Sequence, residues 1–268
     1  MTPPPLRVFI TGASSGLGAA LAQHYGKMGA QLGLVGRRME ALQSVAQGLK
    51  AQCYAVDVRD LLAMQAAANG FLTQFGPPDI VIAAAGISVG TLTEDADDAD
   101  DADDAAVFRA VMDINVLGLV HTFQAFIPAM RTQRKGVLCG ISSIAGVRGL
   151  PGSGAYSASK AAATVYLESL RIELRASGLA VVTVAPGFID TPMTQVNTYP
   201  MPFKMTVQRA ASQVAQCIDR RRAYTVIPWQ MRWVARLLKA MPTALYDAAL
   251  VNAPHKPRHL PTGKQNAE

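Results

Sequence analysis

The chain has 268 residues, half of them apolar, and its 25 Lys and Arg outweigh 19 Asp and Glu for a net charge of +6. A chain of this size can bury a large core, so one α/β domain with a basic tail over 229–268 is the expected organisation. No apolar run approaches the roughly 18 residues that a membrane span needs, and the start, Met1-Thr-Pro-Pro-Pro-Leu-Arg, lacks the apolar stretch of a signal peptide, which points to a cytoplasmic protein. Cys53, Cys139 and Cys217 fall at no metal-ligand spacing and the histidines are scattered, so reduced, buried thiols and no metal are expected.

Short β-rich runs alternate with helix-length stretches. The first, RVFI at 7–10, is followed by TGASSGLG and the helical AALAQHYGKMG, and further runs lie at 31–35, 53–56, 79–84, 136–142, 179–185 and 223–227. Nearly all are continuously apolar, as strands covered on both faces are, and each early gap is wide enough for a crossover helix. The pattern predicts a doubly wound α/β fold with a parallel sheet of about seven strands and helices on both faces. Gly29, Gly76 and Gly178 mark seams between these segments. At 94–104, EDADDADDADD carries eight acids, so the rest of the chain holds 25 bases against 11 acids. That run reads as a solvated loop entering a helix start, where acids suit the helix dipole.

The seam after the first strand is where chemistry begins. Gly12, Gly16 and Gly18 let the backbone turn tightly and approach a pyrophosphate, and the helix start behind them offers free N–H groups and about half a positive charge. With Ser14, Ser15 and Leu17 they form a dinucleotide cradle placed, as it must be, between a strand and a helix. At the end of the second strand, where an NAD-binding chain offers Asp or Glu to the ribose, stand Gly36, Arg37 and Arg38. No carboxylate there repels a 2′-phosphate, and guanidinium groups bind phosphate oxygens in bidentate fashion, so NADP(H) is expected in preference to NAD(H).

The spacing of TGASSGLG resembles that of the short-chain dehydrogenases/reductases, and four more motifs follow in that family's order: DINVLG (113–118), ISSIAG (141–146), YSASK (156–160) and APGFIDTPM (185–193). The likeness runs from about residue 6 to 228 and implies a Rossmann-type fold. It implies a catalytic set of Asn115, Ser143, Tyr156 and Lys160, with Ser143 chosen over Ser142 because the family separates its serine and tyrosine by 13 residues. Asp57, with Val58 beside it, resembles the adenine-contacting aspartate, while Pro186, Gly187, Ile189 and Thr191 match the nicotinamide loop. One motif departs: where the family usually writes N-N-A-G, this chain has Ala83-Ala84-Ala85-Gly86. Ala84, Ala85 and Gly86 still let the backbone pass close to the adenosine, but amides that brace the central sheet are missing.

If 155–177 is helical, Tyr156 and Lys160 share one face with Cβ atoms roughly 5 to 6 Å apart. A tyrosine with an ordinary pKa of about 10 is a poor acid at neutral pH, and a nearby ammonium is expected to lower it into a useful range. The resemblance further implies that Lys160 holds the nicotinamide ribose, Ser143 hydrogen-bonds the substrate oxygen, and Asn115 positions a relay water.

The expected activity is NADP(H)-dependent hydride transfer between the nicotinamide and a carbonyl or secondary alcohol. The alternative, an idle NADP-binding sensor or scaffold, would be marked by loss of the tyrosine or lysine, and both are present. Residues 192–222 are expected to form a lid, in which Met193, Tyr199, Met201, Phe203 and Met205 either make an adaptable apolar wall for an apolar substrate or lie as core beneath a loop. Residues 204–264 hold eleven bases against Asp219 and Asp247, and WQMRWVARLLKAM reads as a helix with a cationic ridge beside a broad apolar face. That face is expected to pack on its own domain or on a second copy in a homo-oligomer, or else to touch a membrane through 229–241. Nucleic acid is not an expected partner, because the basic tail lacks interleaved aromatics.

Overall fold

A computed structural model describes residues 4–92, 104–197 and 199–253. Seven parallel strands, β1 (Arg7–Thr11), β2 (Gln31–Gly36), β3 (Ala51–Ala55), β4 (Ile80–Ala83), β5 (Gly136–Ile141), β6 (Leu179–Pro186) and β7 (Tyr224–Ile227), form one sheet in the order β3-β2-β1-β4-β5-β6-β7. The chain winds outward from β1 to β3, then crosses back to β4 and winds the other way, so a crevice opens between the ends of β1 and β4.

Strand side chains alternate between faces, so each strand feeds two cores. Val8 and Ile10 of β1 join Leu32, Leu34, Ile82 and Val184 under α1 (Gly16–Lys27), α2 (Met39–Ala46) and α9 (Val207–Asp219). Phe9 faces the other way with Val81, Leu138 and Val181, beneath α3 (Leu61–Phe75), α5 (Gly118–Gln124), α6 (Ile127–Thr132) and α7 (Gly154–Glu173). Its ring lies 4.5 Å from that of Phe126 and 5.4 Å from that of Phe71. Because β1, β2, β4 and β5 are covered on both faces, their interiors are apolar, with polar residues confined to the ends of β1 and β2. The exception is β3, an edge strand that starts two residues before the expected 53–56; with one neighbour only, Gln52 and Ala55 stay exposed.

Helix α4 (Asp104–Met112) begins at the last acid of the 94–104 run, where the Asp104 carboxylate accepts the Leu92 N–H at 2.8 Å; the rest of the run lies outside the described residues. With a π-helical turn at Asp113–Leu117, α4 and α5 form a continuous 21-residue helical run, Asp104–Gln124, of mean hydropathy 1.3. This run meets the length and composition of a membrane span, which the sequence pattern did not suggest, yet it packs on α7 and α3. The long helix α7 ends in a 3₁₀ turn at Arg175–Ser177, and Gly178 turns the chain at φ 82°, where a Cβ would overlap the Arg134 carbonyl oxygen.

After β6 come the short α8 (Pro192–Gln195) and α9, and after β7 the helices α10 (Trp229–Ala240) and α11 (Thr243–Leu250). Only part of the apolar face of α10 is covered. Met231 and Ala235 are buried, whereas Trp229, Trp233 and Leu237 are each 60% or more exposed, and the Arg236 guanidinium lies 4.8 Å from the Trp233 ring centroid.

Candidate active site

The crevice at the β1/β4 switch is a cavity of about 910 Å³. It is lined by Gly12, Ser14, Ser15, Gly16, Leu17 and Gly18 at one end and by Ser143, Tyr156, Lys160, Pro186, Gly187, Ile189 and Thr191 at the other. Arg37, Arg38, Asp57 and Val58 line it at the ends of β2 and β3, and Ala84, Ala85 and Gly86 at the end of β4. Segments far apart in the chain thus meet because parallel strands deliver their C-terminal ends to one edge.

The glycines are required by space and by backbone angle. Gly12 sits at φ 70°, and a Cβ there would come within 2.7 Å of the Ala85 backbone. At Gly18 a Cβ would overlap the Gly12 carbonyl oxygen. Gly16, at φ 53°, faces the Thr191 methyl across the cleft. The result is a cradle of bare backbone at the start of α1, which fits the pyrophosphate of a dinucleotide.

Ser142 and Ser143 separate cleanly. The Ser142 hydroxyl is buried and bonded to the Lys160 carbonyl at 3.0 Å and to Thr164 Oγ1 at 2.6 Å. Ser143 Oγ accepts the Ala145 N–H at 3.1 Å and hydrogen-bonds the Tyr156 phenol. Lys160, 6% exposed, donates through Nζ to the Ile141 carbonyl at 3.0 Å and lies 5.8 Å from the Tyr156 ring centroid.

Burial governs the titration of both residues. Desolvation pulls Lys160 down to about 8. Desolvation also raises the Tyr156 phenol, the Ser143 hydrogen bond opposes that rise, and the nearby Tyr199 phenol adds to it. This corrects the expectation that the ammonium lowers the tyrosine: Nζ is turned toward the Ile141 carbonyl, and loss of water outweighs any attraction.

Asn115 lies behind Gly86, where a Cβ would come within 3.0 Å of Asn115 Oδ1 and 3.5 Å of Lys160 Nζ. It is 1% exposed, lies in the π-turn and does not line the cavity. Its Oδ1 accepts the Ile87 N–H at 2.9 Å, while Nδ2 donates to the Ile87 carbonyl and to Ser159 Oγ, both at 2.9 Å. The amide therefore braces the strand-to-cleft segment after Gly86, with three of its four bonds taken.

Sequence reasoning missed Arg59, which holds both Asp57 oxygens, with Nη2 to Oδ2 at 2.7 Å, and keeps that carboxyl below the usual range. The two-residue spacing of Asp57 and Arg59 was the available signal. Ile114, Ile141 and Pro192 line the cavity from within the quoted motifs, and Ile87 and Thr194 line it from outside any motif. Of the five expected wall residues only Met193 lines it. Met205 is core beside Ile189, Phe203 is half exposed, Met201 meets Asn197, and Tyr199 packs on Phe188 at 6.3 Å between ring centroids.

With that geometry established, kinship is direct. The family model for short chain dehydrogenases matches residues 7–200. An uncharacterised oxidoreductase of Myxococcus xanthus is 36% identical over 245 residues, spanning 90% of this chain and 94% of its own. A short chain dehydrogenase of Burkholderia cenocepacia, solved in complex with NADP, superposes with a TM-score of 0.79 at 27% identity over 94% of this chain and 99% of its own. A short chain dehydrogenase/reductase of Burkholderia phymatum, solved with NAD, has the same fold, with a TM-score of 0.77 at 24% identity over 96% of this chain and 98% of its own. The chain belongs to the short-chain dehydrogenase family and is an oxidoreductase of that family.

Proposed function

We propose that the protein reduces a carbonyl, or oxidises the matching secondary alcohol, on a largely apolar substrate, using NADP(H). The observation that carries this reading is the convergence of Ser143, Tyr156 and Lys160 on the same cavity as the glycine cradle. When bound, the nicotinamide supplies or accepts the hydride. Gly12 to Gly18 would hold its pyrophosphate, and Pro186, Gly187, Ile189 and Thr191 its nicotinamide end. Ser143 hydrogen-bonds the substrate oxygen, and Tyr156 gives that oxygen a proton in reduction or takes it back in oxidation. A phenol kept protonated by burial suits the reductive direction. Lys160 carries the positive charge that steadies the oxygen and the ribose beside it.

NADP(H) is supported by Arg37 and Arg38, which stand exposed at the end of β2 and line the cleft. The one carboxylate that lines the cleft among the described residues, Asp57, is occupied by Arg59. An apolar substrate is supported by Ile87, Ile189, Pro192 and Met193 around the reacting end. The test is NADPH oxidation by the purified protein with ketones, aldehydes and 3-oxoacyl thioesters. Tyr156→Phe should lower turnover by about 10² to 10⁴, the usual worth of a positioned acid, with NADPH affinity changed by no more than a few-fold. Near-normal turnover in that variant would overturn the assignment, and no oxidation with any carbonyl would favour an idle nucleotide sensor.

A further inference from the structure

The loop that leaves Ser143 is held from outside the cleft by the C-terminal helix pair. Ile144 and Val147 of this loop pack into a cluster formed by Ala185, Val226, Met231 and Ala235, with Val234 beside it. Met231 also closes on the next loop, since a Cβ on Gly187 would lie 2.9 Å from its Cγ. One helix, α10, therefore underlies both loops that shape the reacting end of the site.

Arg148 closes the contact. Its Nη1 donates to the carbonyls of Leu238 at 3.2 Å and Met241 at 2.6 Å, at the C-terminal end of α10, where the helix dipole favours a cation. The same guanidinium lies 3.9 Å from the ring centroid of Tyr246 on α11. The Tyr246 hydroxyl returns to the loop, donating to the Gly149 carbonyl at 2.6 Å. Loop, α10, α11 and loop are thus joined in a closed circuit by bonds that span 90 to 97 residues of chain. The other backbone bonds of 146–150 are Gly146 N–H to the Ser143 carbonyl, Val147 N–H to the Ile144 carbonyl and Ser153 N–H to the Leu150 carbonyl, all local turns, and Leu150 N–H to Ser157 Oγ on α7 at 3.3 Å. Local turns fix the shape of this stretch, the Leu150 bond and the close approach of Gly146 to the Lys160 backbone seat it on α7, and the clamp ties it to the C-terminal helix pair.

We propose that Arg148, acting with Tyr246, is a positioning residue that ties the Ser143 loop to the C-terminal helix pair and so sets the seat of the substrate oxygen beside Tyr156. This rests on the carbonyl-reductase reading of the site. Arg148 does not line the cavity, so its loss leaves the nucleotide cradle intact. In Arg148→Ala, amide hydrogen exchange over 144–150 should rise at least about tenfold. The specificity constant kcat/KM for a carbonyl should fall about tenfold, as small displacements of catalytic groups do, while NADPH affinity stays within about twofold. Tyr246→Ala should act alike, and the double variant should be no worse than either single one, because the two side chains work as one unit. Tyr246→Phe, which keeps the ring and loses one hydrogen bond, should show a smaller shift of the same kind and serves if the alanine variants fail to fold. Unchanged exchange at 144–150, additive losses, or a parallel loss of NADPH binding would each overturn the clamp. A wild-type protein that reduces no carbonyl overturns the reductase reading alone, and the exchange rates still decide the clamp.

Discussion

The two ends of the cleft carry positive charge under opposite conditions. Lys160 is 6% exposed, and its ammonium has one charge-free partner, the Ile141 carbonyl. Arg37 and Arg38 stand in water at the end of β2. A buried cation is expensive, so its proton becomes the variable that conditions can change. An exposed guanidinium costs little, so its contribution is changed by substitution or by salt. The reacting end should therefore respond to pH and the adenosine end to ionic strength.

The largest effect should come from titrating the buried end. Lys160 is held near 8, against an ordinary 10.5. In the free protein kcat/KM for reduction should be level below neutrality and fall by about tenfold per pH unit once the ammonium is lost. Stability moves the other way. Between about pH 8 and 10.5 the unfolded lysine holds a proton that the folded one has released, so the unfolded state binds more protons and stability rises with pH. Relative to Lys160→Met, wild type should gain thermal stability from pH 7.5 to about 9.5 while its activity declines. A fall in both together would show that alkaline inactivation is unfolding and not loss of this proton.

At the adenosine end, Arg37→Ala combined with Arg38→Ala removes one or two charge-assisted contacts to a 2′-phosphate, each worth roughly 1.5 kcal/mol at the low end appropriate to exposed groups. NADPH binding should weaken at least about tenfold, NADH binding should barely change, and the proposed preference for NADPH should shrink as salt is raised. Calorimetric titration with both nucleotides measures this directly. Equal losses for both would mean that these side chains do not read the phosphate.

Features imposed by the backbone were legible in the sequence. Six of the seven strands fall within one residue of their apolar runs at both ends, because strands covered on both faces leave little choice of residue, and the glycine cradle was readable because no side chain fits there. The edge strand β3 was the least well placed, since one-sided pairing relaxes the pattern. Within the site, Ser143 was separable from Ser142 by spacing, and the structure shows why: Ser142 is spent on Lys160 and Thr164. What escaped were relations between distant side chains with no fixed spacing. The Arg148–Tyr246 stack, the turning of Lys160 toward Ile141 and the inward bracing by Asn115 all depend on packing that no local motif records. The methionine- and aromatic-rich segment after Thr191 left two readings open for the same reason, because composition does not say which face of an irregular segment meets the cleft.

The smallest expected effect lies between the two ends, where the chain departs from its family. Thr11 pairs in register with Ala83, the position at which relatives usually carry the first asparagine of N-N-A-G. Register partners in a parallel sheet point to the same side, so an amide at 83 would stand beside the threonine hydroxyl. Here that hydroxyl is buried and has no hydrogen-bond partner among the described residues. A buried hydroxyl left unmatched costs about 1 to 3 kcal/mol, and valine keeps the same branched shape without it. Thr11→Val should therefore be neutral or stabilising by up to about 1 kcal/mol, a rise in Tm of about 2 to 4 °C for a chain of this size. Nucleotide binding and turnover should be unchanged, because Thr11 does not line the cavity. A thermal melt that drops by several degrees would show that the hydroxyl is matched, and that the Ala83-Ala84 departure costs the central sheet nothing at this point.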